Sequence, residues 1–220
     1  VKQVEDEISA IQMTLGSMYA GTRSLTATSG WWFDLMTETI SLSGMIEVPC
    51  VCVIAQRPGP ATWLPTRTAQ WDLLLASYAG HGEFARIVIW VADATSAYEL
   101  IQHAFNLAET YHVPVIVLTE KLIAENRQTI PVLKQWTIPI QRWLVTDPEE
   151  LKNLKPDDRY KVTGSGVSKR RIPTTNETIS YTNGDEHHED GTLDETEWAW
   201  DMITKRVRKT DTILEVLPDP

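Results

Sequence analysis

Apolar and polar positions repeat with two different periods along the first 145 residues. Over residues 4–19, Ile8, Ile11, Leu15, Met18 and Tyr19 recur at helical spacing. Glu5, Asp6 and Glu7 fall in the first turn, where acids complement the positive end of a helix dipole. Residues 24–28 form a short β-branched segment that runs into Ser29 and Gly30, and residues 33–42 read as a helix. Residues 48–55 (VPCVCVIA) are a continuous apolar run, the pattern of a parallel strand buried on both faces. Residues 87–91 and 113–118 read the same way. Between them Ala97, Leu100, Ile101, Ala104, Phe105, Ala108 and Tyr111 mark a helix over 95–111. Strands alternating with helices imply right-handed βαβ units, hence an α/β fold with a parallel sheet and helices on both faces.

The texture changes after Trp143. Pro, Gly, Asp and Thr become frequent over 147–183, with hairpin-like pieces at 160–162 and 178–182. An acidic stretch at 185–197 follows, then a basic helical segment over 204–217 ending in Pro218. This part has too few apolar residues for a core of its own. The expected division is therefore an α/β domain over 1–145 and an extended, loop-rich arm with a C-terminal helix over 146–220.

Composition excludes several classes. With 42% hydrophobic and 23% charged residues the chain is globular, not disordered. No apolar run approaches the ~20 residues of a membrane span. A net charge of −10 leaves no basic footprint for nucleic acid. Cys50 and Cys52 are too few for a disulfide framework, so a reduced, cytoplasmic setting is expected. As alternate residues of one strand they share a face and should be packed. The chain opens on Val1 with no signal-like segment and reads as a piece of a longer protein.

Ligands of parallel α/β sheets sit at the carboxyl ends of strands, and three loops qualify. Residues 26–30 (TATSG) can offer backbone N–H groups to an anion or be a generic turn. Residues 56–67 (QRPGPATWLPTR) place Arg57 just past the most apolar strand, braced by Pro58 and Pro60, with Arg67 further on. Such an arginine suits bidentate capture of a carboxylate; the plain alternative is a surface arginine. Residues 79–84 (AGHGEF) set His81 between glycines, and a lone histidine is more often structural. Helix-dipole placement suffices for two of the three leading acids, whereas Glu7, next to the apolar stripe, can turn inward. His187 and His188 lie among acids without ligand spacing and read as a solvated face, so no metal site is expected.

Taken together these loops resemble a known family. The runs EDEISAIQMTLGSMYAGTRSLTATSG, QRPGPATWLPTRTAQWDLLLASYAGHGEF and AFNLAETYHVPVIVLTE are similar to the α subunit of 2-oxoacid:ferredoxin oxidoreductases, the 2-oxoglutarate type above all. The likeness continues through YKVTGSGVS, YTNGDEHHEDG and KRVRK. It implies a thiamine-diphosphate-binding fold whose pyrimidine-type domain is this segment. Mg²⁺, the diphosphate and iron–sulfur clusters are then expected on partner domains or on a β subunit. The whole would be a hetero-oligomer that decarboxylates a 2-oxoacid oxidatively, with coenzyme A taking the acyl group and ferredoxin the electrons. The resemblance maps Glu7 to the carboxylate that bonds the aminopyrimidine nitrogen and favours its imino tautomer. It maps Arg57 to the substrate carboxylate. Thr28, Ser29 and Gly30 join Glu7 as cofactor-binding residues, and Thr66, Arg67 and His81 join Arg57 at the substrate. Relatives carry a further active-site loop ahead of this helix and a transketolase-like domain beyond residue 220. Pyruvate and branched-chain 2-oxoacids remain open as substrates.

The departures from the family pattern are of one kind. Trp31, Trp32, Trp63, Trp71 and Trp143 stand where relatives have glycine, in patterns such as TSGGGF, PSTGLPT and QGDL. The chain has 9 Trp and 11 Gly; exchanging the five gives 4 and 16, which are ordinary totals. The expectation is that the source reads UGA as glycine. The competing account is a catalytically degenerate, structural or assembly subunit whose cofactor pocket is filled by indoles.

Overall fold

The computed structural model describes residues 1–135, 138–194 and 198–217. Residues 195–197 of the acidic stretch and Pro218 lie outside the described residues. Four parallel strands, β1 (Thr26–Ser29), β2 (Cys50–Gln56), β3 (Ile87–Trp90) and β4 (Pro114–Glu120), form one sheet in the order β1-β2-β4-β3. The two central strands are the continuous apolar runs. Val51, Cys52 and Ile54 on β2, and Val115, Ile116 and Leu118 on β4, are fully buried. The parallel α/β sheet expected from the sequence is therefore present.

Each face of the sheet has its own apolar layer. One collects Ile11, Leu15 and Met18 of α1 (Glu7–Tyr19) with Phe33, Met36 and Ile40 against Cys50, Cys52 and Ile54. The other packs Ala104, Ala108 and Tyr111 of α4 (Ala94–Tyr111) on Val51, Val115 and Val117. Both helices start on an aspartate. Asp6 Oδ1 accepts from Ser9 N at 2.7 Å and Asp93 Oδ1 from Ser96 N at 2.7 Å, satisfying N–H groups that have no partner inside the helix. Starting at Glu7 turns Ile8 out to 48% exposure, so it leaves the stripe that the spacing assigned to it. The helix expected over 33–42 is two elements, a 3-10 turn over Gly30–Met36 and α2 (Thr37–Met45). Gly30, at φ +39°, bends the chain sharply out of β1, and a tight 3-10 turn fits that corner. Two short helices, α3 (Leu73–Tyr78) and α5 (Lys121–Glu125), complete this part.

Beyond residue 145 come α6 (Pro148–Asn153), a 3-10 turn (Pro156–Arg159) and α7 (Ala199–Leu214). The expected hairpins do not form; among the described residues only a bridge between His187 and Leu193 is present. Main-chain groups there pair with more distant segments, Tyr160 N donating to Glu189 O and Tyr181 N to Asp190 O at 2.9 Å each, and side chains add to them. Arg171 donates to Thr178 O, and Thr178 Oγ1 donates to Leu154 O at 2.9 Å. His187 is fully buried and lies 4.1 Å from the Tyr160 ring, so it is not part of a solvated face. The basic segment is likewise buried on one side. Lys205 and Lys209 of α7 both reach Glu47, at the turn before β2, at 2.6 Å. Arg159 donates to Ile46 O at 2.6 Å and Arg170 to Met18 O at 3.0 Å. Buried charge therefore fastens the arm to the sheet, and Val167 and Ile213 add apolar contacts.

Candidate functional site

The parallel register sets Ser29 beside Ala55 at the carboxyl edge of the sheet, which brings the turns after β1 and β2 together. A Cβ on Gly30 would lie 3.1 Å from Arg57 Cγ, 3.4 Å from its Nε and 3.7 Å from Asp72 Oδ2. The arginine side chain thus passes directly over Gly30, in space that only a glycine leaves open. Its Nε and Nη2 are buried and have no hydrogen-bond partner among the described residues. Buried guanidinium nitrogens without partners cost free energy unless a ligand or water completes them.

Asp72 and Gln56 brace this arginine. Asp72 N donates to Gln56 Oε1 at 3.1 Å, pinning the end of the loop to the last residue of β2. Burial raises the Asp72 carboxyl above its ordinary value, partly offset by the main-chain N–H of Arg57 and by its guanidinium, with Asp34 adding to the rise. Gln56 Nε2, Asp72 Oδ2 and, next to Gly30 in the chain, Trp31 Nε1 are also buried without partners among the described residues. Trp31 stacks on Trp32 with centroids 4.4 Å apart. Asp72 and Gln56 were not singled out from sequence. The available signal was an acid opening a short apolar helix on a loop long enough to fold back over a strand end.

Glu7 is the first residue of α1, half-buried, and has no side-chain partner among the described residues. Because α1 leads into β1 through a short connection, it runs back along the strand and directs its N-terminus toward the carboxyl edge of the sheet. Thr28 and Ser29, half-buried at the end of β1, also leave their hydroxyls free. Thr66 and Arg67 are exposed further along the loop, where Trp63 and Trp71 pack with centroids 5.5 Å apart.

His81 is held by α2. Its main-chain N–H donates to Ser41 Oγ at 2.9 Å, and it lines a cavity of about 640 Å³ with Leu42, Met45, Phe84, Trp200 and Arg206. None of Glu7, Gly30 and Arg57 lines that cavity. Among the described residues no cluster of three or more His, Cys, Asp or Glu is arranged to hold a metal ion.

Fold and site together define a parallel α/β domain that holds a helix-terminal carboxylate and an unpaired guanidinium at one edge of its sheet. Residues 1–209 match the family described as pyruvate flavodoxin/ferredoxin oxidoreductase, thiamine diphosphate-binding, and the chain belongs to that family. It is similar to the 2-oxoacid:ferredoxin oxidoreductase 1 α subunit of Sulfurisphaera tokodaii, 39% identical over all of this chain and 34% of that one. The 2-oxoglutarate synthase subunit KorA of Methanothermobacter thermautotrophicus is 34% identical over 79% of this chain and 46% of its own length. Among solved structures, the 2-oxoglutarate:ferredoxin oxidoreductase from Magnetococcus marinus, with 2-oxoglutarate, coenzyme A and succinyl-CoA bound, superposes with a TM-score of 0.90. It is 36% identical, over 99% of this chain and 37% of that one. The chain thus spans about a third of the first of these relatives.

The residues fit the cofactor that this family binds. A free, half-buried carboxylate at a helix start suits a ring nitrogen, and an unpartnered guanidinium suits a substrate carboxylate. The five tryptophans are also accommodated. None adopts a positive φ, and Trp63, Trp71 and Trp143 are more than half exposed.

Proposed function

We propose that residues 1–145 form the pyrimidine-binding half of a thiamine-diphosphate site, and residues 146–220 an inter-domain arm. They would belong to the α subunit of a cytoplasmic 2-oxoacid:ferredoxin oxidoreductase acting on 2-oxoglutarate. The observation that supports this best is Arg57, whose side chain crosses Gly30 with Nε and Nη2 buried and unpartnered among the described residues. When bound, thiamine diphosphate supplies the nucleophilic carbon and takes up the electrons released as CO₂ leaves. Glu7 would bond a ring nitrogen of that cofactor and hold a proton there. Arg57 would grip the substrate carboxylate and fix its orientation, and Asp72 and Gln56 would hold the loop that carries it. Thr28, Ser29 and Gly30 border the cofactor, and Thr66 and Arg67 the substrate entrance. A β subunit would bring the diphosphate site, Mg²⁺ and clusters, with coenzyme A and ferredoxin as the further partners.

The test is turnover of the full-length α subunit with its β partner, across 2-oxoglutarate, pyruvate and branched-chain 2-oxoacids, followed by ferredoxin reduction. The highest kcat/KM is expected with 2-oxoglutarate. No turnover with any 2-oxoacid, together with no thiamine-diphosphate binding, would end the reading.

The stacked Trp31 and Trp32 favour a second reading, an assembly subunit whose pocket is blocked by indoles. Cofactor binding by the Gly-restored complex but not by the Trp-bearing one would support that blockage.

A further inference from the structure

At the opposite edge of the sheet from Arg57, positive charge exceeds negative in one place. The carboxylate of Glu109 is fully buried and shared by three arginines: Arg23 at 2.5 Å, Arg142 at 2.6 Å and Arg170 at 3.6 Å. Arg142 also donates to Gly21 O at 2.6 Å. Arg142 and Arg170 line a pocket of about 230 Å³ with Trp143, Glu150 and Lys169, at the seam between domain and arm. Lys169 is paired at 2.8 Å with Glu150, and both are about half exposed. Four cations therefore face two carboxylates, in a chain whose net charge is −10.

Arg170 makes the imbalance acute. Its side chain is 2% exposed, and only Nη1 is hydrogen-bonded, to Met18 O at 3.0 Å. Among the described residues Nε and Nη2 are buried without a hydrogen-bond acceptor. Glu109, its one carboxylate neighbour at 3.6 Å, already accepts from Arg23 and Arg142. Buried donors of this kind call for an acceptor, and a pocket where Arg142, Lys169 and Arg170 outnumber the single Glu150 carboxylate concentrates counter-ions. The volume admits a tetrahedral anion with room left beside it, and guanidinium groups suit its oxygens.

We propose that this pocket binds an oxyanion of the phosphate class, held by Arg170 and Arg142 with Lys169 at the rim. Free phosphate and the phosphate group of a nucleotide share this chemistry. They differ in whether a base can lie on the half-exposed indole of Trp143.

The test uses the full-length α subunit in complex with its β partner, loaded with thiamine diphosphate and Mg²⁺ so that its own diphosphate site is filled. Binding is followed by ³¹P line broadening of inorganic phosphate and, separately, of adenosine monophosphate. Saturable broadening in the millimolar range is expected in the wild type. At least a tenfold loss of affinity is expected in Lys169→Glu, which alters a half-exposed residue and leaves turnover unchanged. Tighter binding of the nucleotide would assign a nucleotide phosphate as the source, and equal or weaker binding would assign free phosphate. Absence of saturable broadening by either probe, or equal affinity in Lys169→Glu, overturns the proposal.

Discussion

The carboxylate of Glu47 and the ammonium of Lys205 meet at 2.6 Å with both side chains wholly withdrawn from solvent. Lys209 holds the other oxygen at 2.6 Å. Burial by itself would raise the Glu47 carboxyl, but Lys205, Lys209 and Arg159 together hold it below its ordinary 4.5. Glu47→Gln leaves two ammonium groups buried without a counter-charge and should cost about 3–5 kcal/mol. The folded-state pKa lies below the unfolded one, so this contribution is complete above pH 4.5 and is lost as pH falls below it. Denaturant titrations of the two proteins should therefore differ most between pH 4.5 and about 8, where Glu47 and Lys205 are both charged, and converge under more acid conditions. A gap that does not narrow would refute the assignment.

Arg57 and Glu7 should fail in different ways. Two charge-assisted hydrogen bonds at roughly 1.5–3 kcal/mol each make Arg57→Ala lower kcat/KM for the 2-oxoacid by at least about 100-fold, chiefly through KM. Arg57→Lys should recover only part, because an ammonium cannot reproduce the forked geometry. Glu7→Gln should instead lower kcat by roughly 10²–10⁴ with KM nearly unchanged. Steady-state ferredoxin reduction separates the two patterns. A matching rise of KM in both variants would contradict a substrate grip by Arg57 and a proton held by Glu7.

Cys50 and Cys52 should be chemically silent. Burial pushes the Cys50 thiol up to about 12, and burial together with Cys50 pushes Cys52 well above its ordinary value. The thiolate is the reactive form. Neither should be alkylated at neutral pH in the folded protein, and both should react once denaturant is added. Mass spectrometry after a timed alkylation checks this, and rapid labelling without denaturant would show the sheet to be open.

None of the five tryptophans at family glycine positions belongs to either apolar layer. Exchanging them for glycine should therefore cost the fold little, about 0.5–1 kcal/mol at each of Trp31 and Trp32 within the 3-10 turn. Peptides of the protein from its source, spanning residues 31, 32, 63, 71 and 143, should have the mass of glycine at each position. UGG codons there, or intact tryptophan masses, would end the recoding account.

Features that depend on local pattern are legible in the chain. The continuous apolar runs at 48–55 and 113–118 are the central strands β2 and β4, because burial on both faces leaves little choice of residue. Arg57 stands out because it follows such a strand. Asp72 and Gln56 do not, since their meeting depends on a loop folding back over the strand end, which no local period encodes. The arm misleads for the same reason. Lys205 and Lys209 read as part of a basic helical segment, and only the fold brings Glu47, more than 150 residues away in sequence, to supply their counter-charge. His187 reads as solvated until Tyr160 covers it.

The way the arm is fastened also sets how the protein meets heat. The penalty for holding ions out of water shrinks as temperature rises, while the gain from apolar contact levels off. A seam made by Glu47 with Lys205 and Lys209 therefore strengthens relative to the apolar layers on warming. The exposed loop between β2 and α3, with little buried of its own, should loosen while α7 still lies on the sheet.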